Sequence, residues 1–391
     1  MNGVLIAAGG AVWESAALRF LDESASFRLD RRCVDVADLI STAQSGDAVV
    51  ALLSLDVPGL DADTVYRLVQ ARVHPVAVDG DASRSAAFGI TTRLGVDELS
   101  GLADSLPRQQ LPAVEDLPEP GAGALVAVWG PAGAPGRSTV ALGLADAWSG
   151  RGKQTILVDA DPYGGAIAQM LGVLDEVSGL LAASRAANDG RAAELSDHLY
   201  AVSDRLAVLT GLPRPDLWPQ IRPGAAGRLL QQLRSEAEVS VTDVGFSLED
   251  SAGFDSSAPR RNQLTLQCLE AADHVIAVGR ADPVGLTRLV RGLHELEAVI
   301  PTARVSVVVN MMRTTIGWSE SEVAETVERL TGLPPETFLP LDQSAVDAAL
   351  INGRLLGESQ ADSRLARAVA RFASEWATQH LDVSRTTPAF R

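Results

Sequence analysis

The stretch "VAVWGPAGAPGRSTVALGLADAW", residues 126–148, holds a short apolar run, a Gly/Pro/Ala turn, and Ser138-Thr139 opening a helical pattern. Strand, tight loop and helix start, in that order, build an anion cradle. Backbone N–H groups converge at the helix N-terminus, and small residues let the backbone come close to the anion. Gly130, Gly133, Ala134 and Gly136 supply the small residues, and Ser138, with Thr139 beside it, supplies a hydroxyl where one would hold a divalent cation. The strict phosphate-loop pattern G-x-x-x-x-G-K-[ST] is not met. Pro131 stands at its first glycine position and Arg137 at its lysine position.

Working outward, "TILVDADPYGG" places Asp159 and Asp161 at the end of the next apolar run, followed by a Gly-rich turn. Carboxylates at a strand's C-terminal edge, near a phosphate loop, suit water-mediated Mg²⁺ binding and the positioning of an attacking water. "VSVTDVGF" then ends a further apolar run on Asp243. Any one of these acids alone reads as a helix cap or strand-end residue. Three in this order after a phosphate loop read as a metal and water site: Ser138, Asp159 and Asp243 around Mg²⁺, Asp161 on the water.

This order resembles the ParA/MinD family of deviant-Walker ATPases over roughly 125–380. "VWGPAGAPGRSTVALGLADAW" is similar to the family's first loop and helix, "DADPYGG" to its switch I and "TDVG" to its switch II. "DHVIAVGRADPVGLTRLVRGLHEL" is similar to the strand and helix that follow. "VSVVVNMM" is similar to the strand whose Asn contacts adenine, which makes Asn310 a base-recognition candidate. In "LPLDQSAVDAALINGRLL" the backbone after Pro340 would line the adenine pocket. The resemblance implies an ATP or ADP site with Mg²⁺, and a homodimer. It also implies a lysine reaching the β/γ-phosphates and a second, signature lysine crossing to the partner's nucleotide. Arg137 can supply charge for the first, as a planar fork rather than a point charge on a flexible stem. Ala132 supplies nothing for the second. If active, the protein is expected to be a slow ATP hydrolase, because losing one transition-state charge lowers turnover by roughly 10³ or more. Lys153 is the single lysine among 33 basic residues, so a missing lysine weighs less here than in a lysine-rich chain.

The expected fold is α/β in two parts. Residues 1–106 alternate apolar runs (Val4–Ala8, Ala48–Leu53, Pro75–Val78, weaker ones near Cys33 and at Thr91–Leu94) with helical stretches at Ser15–Leu21, Ala62–Ala71 and Asp97–Leu106. That alternation predicts a parallel sheet covered on both faces. Residues 107–124 are rich in Pro and acids and read as a linker. Residues 125–391 restart the alternation as a larger, doubly wound, mostly parallel sheet, with strands expected at Leu125–Trp129, Thr155–Asp159, Arg205–Thr210, Val239–Asp243, His274–Gly279 and Val305–Asn310. Helices are expected at 138–149, 225–235, 284–299, 319–331 and Ser363–His380, and a polar loop at 246–263. "VVALLSLDVPGLDADTVYRLV", 49–69, resembles the third strand and loop of response-regulator receivers. Ser54 falls where they carry the phosphorylated Asp, Arg93 where they carry a lysine, and the acidic pair after the first strand is missing. This implies a pseudo-receiver of flavodoxin-like fold, an unrelated small α/β domain being the alternative. A receiver-like part before a ParA/MinD-like part resembles the CpaE/TadZ branch of pilus assembly and polar localisation, and also septum-site-determining proteins.

A net charge of -17 argues against broad attraction to DNA or anionic lipid, and scattered arginines form no long basic stripe. Cys33 and Cys268 have no metal or redox spacing and read as buried thiols in a reducing cytoplasm. No apolar run approaches the ~18–20 residues of a membrane span. The start, with Glu14 early, reads as a first strand and helix rather than a signal peptide. "SRLARAVARFASEWATQHL" places Leu365, Val369, Phe372 and Trp376 on one face, either a closing helix on the sheet or a lipid-facing one. The expected location is cytoplasmic, polar or peripheral to the membrane's inner face. Expected partners are pilus, secretion or cell-division proteins, with membrane contact through them or through the last helix.

Overall fold

The computed structural model describes residues 1–106, 123–133, 135–173, 177–250 and 260–381. Ala134, most of the 107–124 segment and part of the 246–263 loop therefore lie outside the described residues. The chain divides into two compact units, one holding Met1–Leu117 with Ser184–Glu194 and Arg222–Leu229, the other holding the remainder.

The first unit carries a five-stranded, all-parallel sheet of β1 (Asn2–Ala7), β2 (Phe27–Arg32), β3 (Ala48–Leu53), β4 (His74–Val78) and β5 (Thr92–Leu94), in the order β2-β1-β3-β4-β5. Its inner strands are apolar beyond their first residue because both faces are covered. Leu5 and Ala7 enter one core, and Val4, Ile6 and Ala8 enter the other. β2 is the exception. Its sequence, FRLDRR, is exposed after Phe27, so the strand lies just before Cys33 and carries edge charges instead of an apolar signal. Two helices without a clear sequence signal, Val36–Ser45 and Ala82–Phe88, start where Asp35 and Asp81 accept from the N–H groups of Asp38 and Arg84. The expected helix at Asp97–Leu106 is a 3₁₀ turn, Val96–Gly101, continued by a short α-turn.

The second unit carries an eight-stranded sheet. Its strands are β6 (Ala124–Trp129), β7 (Thr155–Ala160), β8 (Tyr200–Ala201), β9 (Leu206–Leu209), β10 (Val239–Val244), β11 (His274–Arg280), β12 (Val305–Met312) and β13 (Pro335–Pro340). Their order is β13-β12-β11-β6-β10-β7-β9-β8, parallel except where β8 meets β9. The chain leaves β6 toward β7 on one side and leaves β11 toward β12 on the other. A parallel sheet opens a crevice at such a switch point, beyond the strands' C-terminal ends. The opening stretch of sequence lies there. β13 begins and ends on proline, which suits the edge it occupies and explains its weak strand signal.

The apolar stripe of the last helix, Arg364–His380, is buried in the core. Trp376 stacks near Trp148 of helix Arg137–Gly150 with centroids 5.5 Å apart, and its indole N–H reaches Ser306 Oγ at 2.9 Å. Trp148 Nε1 donates to the Ala373 carbonyl at 2.9 Å. Gly143 lets the two helices close, since a Cβ there would sit 2.9 Å from Val369. Among the described residues no helix is long and apolar enough to cross a membrane.

Candidate functional site

The loop after β6 depends on its glycines. Gly133 (φ 116°) and Gly136 (φ 87°) occupy backbone regions that L side chains rarely adopt. A Cβ at Gly136 would collide with the Asn310 amide, and one at Gly130 with the Val278 carbonyl. Helix Arg137–Gly150 begins at once, Val140 N–H closing on the Gly136 carbonyl at 2.9 Å. The N–H groups of Arg137, Ser138 and Thr139 precede that bond at the helix start, where orphan donors and the helix dipole favour an anion. The glycines, Arg137, Ser138 and Thr139 therefore share one cradle.

Neighbouring strands place the acids. Asp159 and Asp243 are register partners at the ends of β7 and β10, and both are almost fully buried. Asp159 Oδ2 accepts from Ile167 N–H at 3.0 Å, and Gly165 and Gly211 leave room for its carboxyl group. The Ser138 hydroxyl lies beside Asp243 and favours its charged form. One buried oxygen on each carboxylate, Asp159 Oδ1 and Asp243 Oδ1, has no hydrogen-bond partner. Burial pushes both carboxyl groups above the usual range; repulsion from Asp161 raises Asp159 further, and repulsion from Asp159 raises Asp243 further. Ser138 and Arg137 pull Asp243 back only in part.

Asp161 turns the other way. Its Oδ1 accepts from Tyr163 N–H at 2.9 Å, and its Oδ2 meets Arg137 Nη2 at 3.3 Å. Arg137 Nη1 folds back onto the Gly130 carbonyl at 2.9 Å. The loop arginine is thus shared between its own loop and the candidate water-positioning acid. Among the described residues no group of three or more His, Cys, Asp or Glu side chains is placed to hold a metal directly. Ser138, Asp159 and Asp243 offer one hydroxyl and two carboxylates, a donor set that fits an ion retaining several waters, as Mg²⁺ does.

Asn310 lies two residues before the end of β12, and Pro340 ends the neighbouring β13. Asn310 donates to the Pro135 carbonyl at 2.8 Å and accepts from Met311 N–H at 2.8 Å. Its amide therefore braces the phosphate loop. Pro340 pairs with Met312, and Leu341 N–H reaches the Met312 carbonyl at 2.9 Å, just past the β12 end.

Several contributors carry no local sequence signal. Arg288, on helix Pro283–Val299, reaches the Ala132 carbonyl at 3.4 Å. Tyr163 stacks on Phe246 at 4.8 Å and donates to Asn262 Oδ1 at 2.8 Å, and the Arg261 guanidinium lies 4.7 Å from its ring centroid. Asn262 in turn donates to the Glu249 carbonyl at 2.8 Å, so the segments after β7 and β10 are latched together. Trp129 Nε1 joins the same group through the Phe246 carbonyl at 3.2 Å.

No protein-family model and no curated protein sequence matches this chain. Solved structures do. The cell division ATPase MinD of Pyrococcus furiosus superposes with a TM-score of 0.53 at 18% identity, covering 66% of this chain and 99% of its own. A ParA family ATPase from Chlorobium tepidum gives 0.54 at 18%, covering 65% and 99%. The septum site-determining protein MinD of Pyrococcus horikoshii, solved with Mg-ADP, gives 0.52 at 16%, covering 68% and 100%. At these identities the likeness establishes the fold: a P-loop NTPase-like α/β architecture, joined in this chain to a second, five-stranded parallel sheet.

Proposed function

We propose that this is a CpaE/TadZ-like positioning and assembly protein, a dimeric scaffold that responds to ATP or ADP and hydrolyses ATP weakly or not at all. The observation that carries the reading is the pair of buried, in-register carboxylates beside Ser138, each with an oxygen lacking a hydrogen-bond partner, at the mouth of a phosphate loop. Unpaired buried carboxylate oxygens are costly, and a hydrated cation relieves that cost. Bound Mg²⁺ would neutralise charge on the β- and γ-phosphate oxygens.

The chain's own residues do the rest. Backbone N–H groups of Gly133, Gly136, Arg137, Ser138 and Thr139 hold the phosphates, and Ala134 belongs to that run by its sequence position, while Pro135 has no N–H to offer. Ser138, Asp159 and Asp243 hold the hydrated cation. Asp161 orients a water only after Arg137 exchanges it for phosphate. Weak hydrolysis follows from two features: Arg137 is a planar fork already paired with Asp161, and Ala132 carries no charge. Asn310 acts on the base indirectly, by fixing Pro135, while the backbone after Pro340 borders the base site.

The pseudo-receiver reading of residues 1–106 is supported by Ser54, buried at the end of β3 where receivers carry their phosphorylated Asp. Arg84 ties the following loop through the Leu55 carbonyl at 2.8 Å. On this reading the first part docks or dimerises and the second responds to nucleotide. Partners belong to pilus, secretion or cell-division machinery, DNA is not among them, and the place of action is the cytoplasm, at a pole or at the membrane's inner face.

Calorimetry with ATP and Mg²⁺, followed by a sensitive phosphate-release assay, tests this. Binding with little or no turnover is the expected result. Robust turnover abolished by Asp161→Ala would establish an active ParA/MinD-type switch for septum placement or partition instead. No binding at millimolar ATP would leave a nucleotide-free scaffold.

A further inference from the structure

A triphosphate brings about four negative charges into a cradle whose own cation, Arg137, is shared with Asp161. A second guanidinium touches the same loop. Helix Pro283–Val299 follows β11, the strand beside β6, and its turns around Arg288 and Gly292 lie against the loop. Gly292 seats it there: a Cβ at that position would approach Trp129 at 2.9 Å and Pro131 at 3.3 Å. One turn earlier, on the same face, Arg288 extends over Ala132 and Gly133. A Cβ at Gly133 would collide with its Nη1, so the loop leaves space for the guanidinium as well as for an anion.

We infer that Arg288 is the phosphate clamp of this site, supplying from a separate helix the cation that the loop lacks at Ala132, and that its ligand is the terminal phosphate of a nucleoside triphosphate. This rests on the nucleotide-site reading above. The bond to the Ala132 carbonyl is long, at 3.4 Å, and exposed, so its exchange for phosphate costs little. A guanidinium bonds two phosphate oxygens at once, and such charge-assisted bonds are roughly twice as strong as neutral ones. Asp282, which caps the helix by accepting from Gly285 N–H at 2.9 Å, is paired with Arg280 at 2.5 Å. That pairing leaves the helix's first acid engaged away from Arg288.

The test is calorimetry of the full-length protein and its Arg288→Ala, Arg288→Lys and Arg137→Ala variants, each with Mg²⁺-ATP and Mg²⁺-ADP, alongside thermal midpoints. Arg288→Ala is expected to weaken ATP by about tenfold or more and ADP by no more than about twofold, with an unchanged midpoint. Arg288→Lys falls between, because it keeps the charge and loses the fork. Arg137→Ala weakens both nucleotides. Equal weakening of ATP and ADP by Arg288→Ala, with a lowered midpoint, would reduce Arg288 to helix–loop packing and overturn the inference. ATP affinity within twofold of the parent would overturn it too. A parent protein that binds neither nucleotide removes the nucleotide reading itself, an outcome visible before any variant is made.

Discussion

Gly136 carries a tight constraint in the phosphate loop, because its positive φ and the Asn310 amide both exclude a side chain. Gly136→Ala is expected to cost about 1–3 kcal/mol in urea unfolding, through backbone strain and displacement of Asn310. It is also expected to abolish ATP binding in calorimetry; unchanged binding would show that the loop does not cradle phosphate. His274 offers a pH test at the opposite end of the sheet. Burial, reinforced by His380 and Arg304 and opposed by Asp273, lowers its pKa from 6.5 to about 4, and its ring meets Trp376 and His380 edge-on. A depressed histidine pKa stabilises the fold above the unfolded value and loses that contribution as pH falls. Stability should therefore drop between pH 6.5 and pH 4, the window set by the shift. His274→Gln should flatten the fall in urea midpoint between neutral and mildly acidic buffer, even though the lost ring contacts lower the midpoint overall.

At the level of elements, the last helix shows how one pattern can serve two ends. Its stripe of Leu365, Val369, Phe372 and Trp376 suits either a lipid surface or a protein core, and the structure buries all four. Trp376→Ala is expected to cost about 3–5 kcal/mol in urea unfolding, as for other large buried aromatics. A loss below about 1 kcal/mol would mean that the helix is peripheral to the core. Elements with a continuous apolar run were legible in the sequence: β1, β3, β6, β7, β10, β11 and β12 all lie within a residue or two of their expected places. Those without one were not. β2 is charged because it is an edge, β13 carries edge prolines, and helices Gly179–Asn188, Gln263–Ala271 and Gln343–Asn352 lack a clean stripe. Periodicity reports which face is buried, so elements with little or mixed burial leave weak marks.

For the whole molecule, the proposed dimer is testable by sedimentation. Mass should double on adding Mg²⁺-ATP if nucleotide drives association. A constant dimer with and without nucleotide would place association elsewhere in the chain, and a constant monomer would remove the dimeric scaffold from the proposal. At a net charge of -17, retention on DNA is not expected in either state, as an electrophoretic shift assay at low salt would check. The candidate site was legible only in its local pieces. Loop, hydroxyl and acids stand in recognisable order, because each is set by the few residues around it.

The sequence by itself determined the strand–loop–helix unit at 126–148, the acids that end β7 and β10, and the absence of lysine charge from the loop. Only the tertiary structure decided what surrounds that loop. Strand order β13-β12-β11-β6-β10-β7-β9-β8 brings β11 and β12 toward β6 from far along the chain. It thereby sets Arg288 against Ala132, 156 positions away, and Asn310 against Pro135, 175 positions away. It also couples Asp159 to Asp243 as register partners, turning two ordinary strand-end acids into one buried pair. Local periodicity encodes burial and helix starts; it carries no record of which strand lies beside which, and here that neighbourhood supplies the second cation.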